Sequence, residues 1–147
     1  MTKAIYFDMD GTIADFYGVP HWLEYLCESN PHPYEVAAPL LNMSLLARLL
    51  NCLQREGWHI GIVSWTSKTG TPAFNSAIME AKLNWLNHHL HSVHWDEIQI
   101  IPYGTPKHMV VQFSEGILFD DETPNRDAWG DSAYDAQNII EILKGLF

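Results

Sequence analysis

The stretch that most constrains this chain is Ala4-Ile5-Tyr6-Phe7-Asp8-Met9-Asp10-Gly11-Thr12. Four apolar residues without alternation read as a strand buried on both faces, the pattern of a parallel sheet. Two carboxylates one residue apart follow at once. Like charges that close repel, and one of the pair is pushed to keep its proton. A sequence that holds such a pair at a strand end uses it to bind a cation or to move protons.

The rest of the chain alternates strand and helix signals. Asn42 to Glu56 predicts a helix: Leu45, Leu46, Leu49, Leu50 and Leu53 form one stripe, Asn42 or Ser44 caps it, and Gly57 stops it. His59 to Val63 predicts a second buried strand, ending in Ser64. Thr71-Pro72 opens a helix that carries Ile78, Trp85, Leu86 and Leu90. Glu97 to Ile101 is a third strand, and Thr105-Pro106-Lys107 repeats the helix-start signal. Gly116 to Phe119 is a fourth strand running into Asp120-Asp121, and a weak fifth near Ala133 precedes a helix from Ala136 to about Leu146. This alternation predicts an α/β fold: a single Rossmann-like domain over residues 1–147, with a parallel sheet and helices on both faces. Residues 15–41, rich in aromatics and prolines with a helical stretch near His21 to Cys27, form a short cap insertion after strand one.

In such sheets ligands bind beyond the carboxyl ends of the strands. Asp8 and Asp10 leave strand one there, Ser64 strand two, and Asp120 and Asp121 strand four; Lys107 follows strand three. Four carboxylates in one crevice call for a cation, and hard oxygen donors favour Mg²⁺. Ser64 adds a hydroxyl, a place that Thr66 or Ser67 takes if the strand ends two residues later. A lysine at a helix start, beside free backbone N–H groups, suits phosphate. Together these groups describe a phosphoryl group held for transfer, with one carboxylate free to attack and a neighbour to carry the proton.

Asp8-Met9-Asp10-Gly11-Thr12 resembles the first motif of the haloacid dehalogenase superfamily. Ser64 after Ile60-Gly61-Ile62-Val63 resembles the second motif, Lys107 the third, and Phe119-Asp120-Asp121 the fourth. The resemblance implies a phosphatase in which Asp8 attacks phosphorus and Asp10 is the general acid and base. It implies a Mg²⁺ site built from Asp8, the Asp10 carbonyl, and Asp120 and Asp121, with Asp121 the direct ligand and Asp120 behind it. Ser64 and Lys107 would hold the phosphoryl oxygens. The stretch Asp8 to Phe16 is further similar to the opening of the 5′(3′)-deoxyribonucleotidases, which implies a 5′-nucleotide substrate with Phe16 against the base. The insertion is much shorter than the cap of that group.

Several features bound the alternatives. A formal net charge of −10 repels polyanions, so a small phosphorylated substrate is expected over a polynucleotide. A polynucleotide end-phosphatase, which a short cap would suit, is the second enzyme reading. A phosphate-binding or receiver-like signalling domain is the non-enzymatic one; receivers carry the phosphoacceptor after the middle strand, where Ser64 and Ile101-Pro102 offer no aspartate. No apolar run approaches the ~18 residues of a membrane span. The first residues lack a signal-peptide pattern, and Cys27 and Cys52 form no metal motif, so a reduced cytoplasmic setting is expected. Without such a signal, Asn42-Met43-Ser44 is no glycosylation site. His88, His89, His91 and His94 are expected on a solvated helix end. Trp22, Trp58, Trp65, Trp85, Trp95 and Trp129 are expected in the core or cleft wall, with Trp65 beside the substrate. Phe16, Tyr17 and Trp22 form either an aromatic wall for a base or the small core of the insertion.

Overall fold

A computed structural model describes residues 2–147. Strand β1 (Ala4–Phe7) is fully buried along its length. It lies at the centre of a parallel sheet because it has no polar face to show to water. The insertion comes next: β2 (Ala14–Asp15), a turn of 3₁₀ helix at Phe16–Gly18, α1 (Trp22–Cys27), α2 (His32–Val36) and β3 (Ala38–Pro39), which pairs antiparallel with β2. Helix α3 (Met43–Arg55) starts where the Asn42 side chain accepts from Leu45 N–H, a cap worth ~1 kcal/mol. It ends at Gly57, whose φ of 94° suits a residue without Cβ. Leu46, Leu50 and Leu53 are its buried stripe, while Leu45 and Leu49 lie at the half-buried margin.

Strand β4 (His59–Trp65) runs past the predicted end and includes Ser64. Helix α4 (Pro72–His89) is capped by Thr71, whose hydroxyl accepts from Phe74 N–H. Then come β5 (Glu97–Ile101), β6 (Ile117–Phe119), α5 (Thr123–Trp129), β7 (Ala133–Tyr134) and α6 (Ile139–Lys144). The sheet order is β5-β4-β1-β6-β7, all parallel. This is the predicted Rossmann-like α/β arrangement.

Alternate residues of β1 feed two cores. Ile5 and Phe7 pack with Leu46, Leu50 and Leu53 of α3 and Ile139 and Leu143 of α6. Ala4 and Tyr6 pack with Trp129 of α5 and with the segment carrying Val110, Val111 and Phe113. Each such buried aliphatic or aromatic side chain contributes about 1.5–3 kcal/mol. A third cluster joins Phe16 and Tyr34 of the insertion to Phe74, Ile78 and Ala81 of α4, so the insertion rests on that helix.

One expectation is corrected. Thr105-Pro106-Lys107 opens no α-helix; residues Lys107–Met109 make one 3₁₀ turn without a side-chain cap. Val110, Val111 and Phe113 beyond it are spent on the sheet face, and no helical stripe continues from them. Thr123-Pro124 carries the same start signal and does open a helix, α5.

Candidate active site

The carboxyl end of β1 sets the centre. Beyond it the chain closes a tight loop in which the N–H groups of Thr12, Ile13 and Ala14 all converge on the Met9 carbonyl at 3.0–3.1 Å. Gly11 sits in this loop at φ 79°, and a Cβ there would lie 2.3 Å from Asp121 Oδ2. Only glycine fits both the dihedral and the approach.

Asp8 is 7% exposed and both its oxygens are engaged. Lys107 Nζ donates to Oδ1 at 3.1 Å, and the Thr12 hydroxyl lies 3.1 Å from Oδ2. Lys107 is itself buried; it also donates to Asp120 Oδ2 at 2.6 Å and lies 5.1 Å over the Trp65 ring. Its ammonium, and not a helix N-terminus, is therefore what it offers to the site. Asp120 is fully buried; its Oδ1 accepts from Glu122 N–H at 3.0 Å. Thr12 joins β1 to the end of β6: its hydroxyl lies 3.3 Å from Asp121 Oδ1 and accepts from Asp121 N–H at 3.2 Å.

Asp8, Asp120 and Asp121 each place a carboxylate oxygen within 4.8 Å of the others. Among the described residues this is the one such group of three or more metal-ligating side chains. Burial and the Asp8 charge push Asp120 up to about 6; burial, Asp8 and Asp120 push Asp121 up to about 7. Burial also raises Asp10, against the opposing charge of Lys82. For Lys107 burial favours the neutral amine, but Asp8 and Asp120 outweigh it and hold the ammonium above its usual range. Fully ionised, the four carboxylates outnumber the two buried lysine ammoniums by two. A hard divalent cation fits that donor set and that imbalance.

The second ammonium, Lys82, carries no motif signal, and sequence reasoning missed it. It projects from α4, is 1% exposed, and donates to Asp10 Oδ2 at 3.0 Å, Ser64 Oγ at 2.7 Å and the Trp65 carbonyl at 2.7 Å. A readable signal existed. Lys82 falls on the stripe Ile78, Ala81, Trp85 and Leu86, where a solvated lysine has no place.

Asp8, Asp10 and Lys107 line a cleft of about 350 Å³. Its walls are the rings of Phe16, Tyr17, Trp22, Tyr34, Trp65 and Tyr103. Ser64 is not among the lining residues. It is 0% exposed and its hydroxyl is committed to Lys82, whereas Thr66 and Ser67 reach the cleft. The strand continuing to Trp65 is the reason. Phe16 lines the cleft but is 3% exposed, its ring packed on Tyr34 at 4.6 Å between centroids. Tyr17 and Tyr103 are the open rings, at 47% and 49%. Phe16, Tyr17 and Trp22 pack together within the insertion and also line the cleft. His88 is exposed and His89 packs tilted against Trp85, 4.4 Å between ring centroids, and neither histidine lines this cleft.

No family model matches the chain, and no curated protein matches it in sequence. Solved structures do match in fold. The D,D-heptose 1,7-bisphosphate phosphatase from Burkholderia thailandensis aligns with a TM-score of 0.60 at 12% identity, over 99% of this chain and 98% of that one. The D,D-heptose 1,7-bisphosphate phosphatase from B. bronchiseptica, complexed with magnesium and phosphate, aligns with a TM-score of 0.59 at 14% identity over the same shares. At such identities the likeness establishes the fold: this chain shares end to end the architecture of those phosphatases.

Proposed function

We propose that this protein is a Mg²⁺-dependent phosphomonoesterase of the haloacid dehalogenase type, acting through an aspartyl-phosphate on Asp8. The observation that carries the reading is the position of Asp8: lining the cleft, pinned between the Lys107 ammonium and the Thr12 hydroxyl, with Asp10 beside it. A solvated strand-end aspartate has no need of either partner. The magnesium-bound neighbour and the shared fold support the same reading.

In this reading an Asp8 oxygen attacks phosphorus as the bond to the leaving group breaks, and Asp10 gives its proton to the departing oxygen. Asp10 then takes a proton from water as that water attacks phosphorus and releases Asp8. Lys107 fixes the nucleophile and offsets charge on the phosphoryl oxygens, a role worth about 10²–10³ in rate. Thr66 or Ser67 offers the hydroxyl at the cleft that the second motif requires, with Ser64 behind them. Asp8, the Asp10 carbonyl and Asp121, with Asp120 in support, would hold Mg²⁺, which would supply positive charge to offset that of the phosphoryl oxygens.

For the substrate we favour a nucleoside monophosphate. A 350 Å³ cleft suits a small molecule, and its aromatic walls suit a planar leaving group. The open faces of Tyr17 and Tyr103 are the natural stacking partners, with Phe16 supporting Tyr17 edge-on at 5.1 Å. The net charge of −10 disfavours polynucleotides. The test is phosphate release from a panel of nucleotides, sugar phosphates and an aryl phosphate. Mg²⁺-dependent turnover that ends in chelator and returns with Mg²⁺ is expected; full activity in excess chelator overturns the reading.

A further inference from the structure

We propose that Lys82 is a positioning residue for the general acid: its ammonium holds one Asp10 oxygen and ties that carboxylate to the end of β4, leaving the other oxygen to meet the leaving group. This rests on the phosphatase reading above and concerns a residue that none of the four motifs supplies.

A primary ammonium has three N–H bonds, and each finds an acceptor here: Asp10 Oδ2, Ser64 Oγ and the Trp65 carbonyl. The Tyr34 ring, 5.3 Å from Nζ, adds a cation–π contact. A group so bound has no rotational freedom left. Two of the acceptors belong to a central strand, so the third, Asp10, is referenced to the rigid sheet and not to its own loop.

Packing does not explain the lysine. At this place on the α4 stripe a leucine or methionine would fill the space without the desolvation that a buried charge costs. Lys107 cannot take over the task, because it is committed to Asp8 and Asp120. Asp10 meanwhile lines the cleft, and among the described residues its Oδ1 has no side-chain or backbone donor. Lys82 therefore takes the inner oxygen and frees the outer one. During turnover Asp10 alone exchanges a proton, first to the leaving oxygen and then from water; Lys82 keeps all three of its own.

The dependence on the leaving group tests this. An aryl phosphate departs without needing a proton, whereas a primary alkyl phosphate needs one. The kcat/KM of each, with Mg²⁺, is compared in wild type, Lys82→Met, Asp10→Asn and the double variant. A misplacement of about 1 Å at a reacting group costs ~10²-fold. We expect Lys82→Met to lose about 30- to 100-fold on the alkyl phosphate and under threefold on the aryl one. The double variant should lose no more than Asp10→Asn alone. If Lys82→Met does not fold, Lys82→Gln, which keeps a neutral donor, carries the same comparison. Equal losses on both substrates, or losses that multiply in the double variant, overturn the role and leave the phosphatase reading standing. Absence of wild-type turnover on both substrates overturns the phosphatase reading, and this role with it.

Discussion

Asp8 and Asp10 are each bonded to a different lysine, and in the proposed mechanism those bonds divide their tasks. Lys107 holds Asp8 beside Asp120, and Lys82 holds Asp10 beside the strand end. Lys107→Ala should lose about 10²–10³ in kcat/KM; an unchanged rate in a steady-state assay would assign its role to another base. Asp10→Asn should lose about 10²–10⁴ on an alkyl phosphate, and a loss below tenfold would contradict its assignment. Gly11→Ala places a methyl against Asp121 at a φ that alanine resists, so it should lower the melting temperature and weaken Mg²⁺ binding together. At this scale the sequence shows the carboxylates plainly, because they follow apolar runs that end at the sheet rim, whereas Lys107 is marked only by the Thr105-Pro106 signal, whose α-helix does not form. Lys82 stayed hidden because its partners, Asp10 and Ser64, are 72 and 18 residues away, and helical periodicity is ordinarily read for apolar residues alone.

Among the elements, α4 bears the most weight. One part of it packs Trp85 and Leu86 into the main core; another carries Phe74, Ile78 and Ala81 against the insertion. The cap-like segment is thus seated by the same helix that supplies Lys82. Strands β1 and β4 and helices α3 and α4 are legible because burial and capping agree with their periods. The 3₁₀ turn at Lys107 was not, because Thr-Pro signals only a start, and the pattern of the succeeding residues decides whether a helix continues. Between residues 15 and 41 the helical stretch near His21 to Cys27 was legible and forms as α1, but β2 and β3 are two residues each, too short for a pattern. The aromatic wall of the cleft makes a prediction at this scale. Stacking is worth about 1–3 kcal/mol per base, so Tyr17→Ala or Tyr103→Ala should erase about five-fold or more of any preference for a deoxynucleoside monophosphate over ribose 5-phosphate. Wild type without that preference would mean that the walls bind something else. Phe16→Ala should instead lower stability, because the ring is buried among Tyr34, Phe74 and Ile78.

For the molecule as a whole, charge is the governing quantity. The chain carries −10, and four of its acids crowd the sheet rim. The folded pKa values of Asp120, about 6, and Asp121, about 7, lie above the ordinary carboxylate value of 3.8. The folded state therefore binds protons more tightly than the unfolded one. These two groups penalise the metal-free fold most above pH 7, and the penalty fades as pH falls towards 4. Mg²⁺ bound among these carboxylates would relieve the same penalty and compete with the same protons. The rise in melting temperature on adding Mg²⁺ should be larger at pH 8 than at pH 5.5; an equal rise at both would place the metal elsewhere. In the described residues no helix is long and apolar enough to cross a membrane.

The claim on which the account turns is that Asp8 becomes covalently phosphorylated. Acid-quenched turnover of an aryl phosphate with Mg²⁺, followed by peptide mass analysis, tests it directly. The account predicts one phosphoryl group on the peptide containing Asp8, more of it in Asp10→Asn, where its hydrolysis is slowed, and none in Asp8→Asn, which should also release no phosphate. Phosphate release that persists in Asp8→Asn, with no phosphoryl group on that peptide in the wild type, would contradict it.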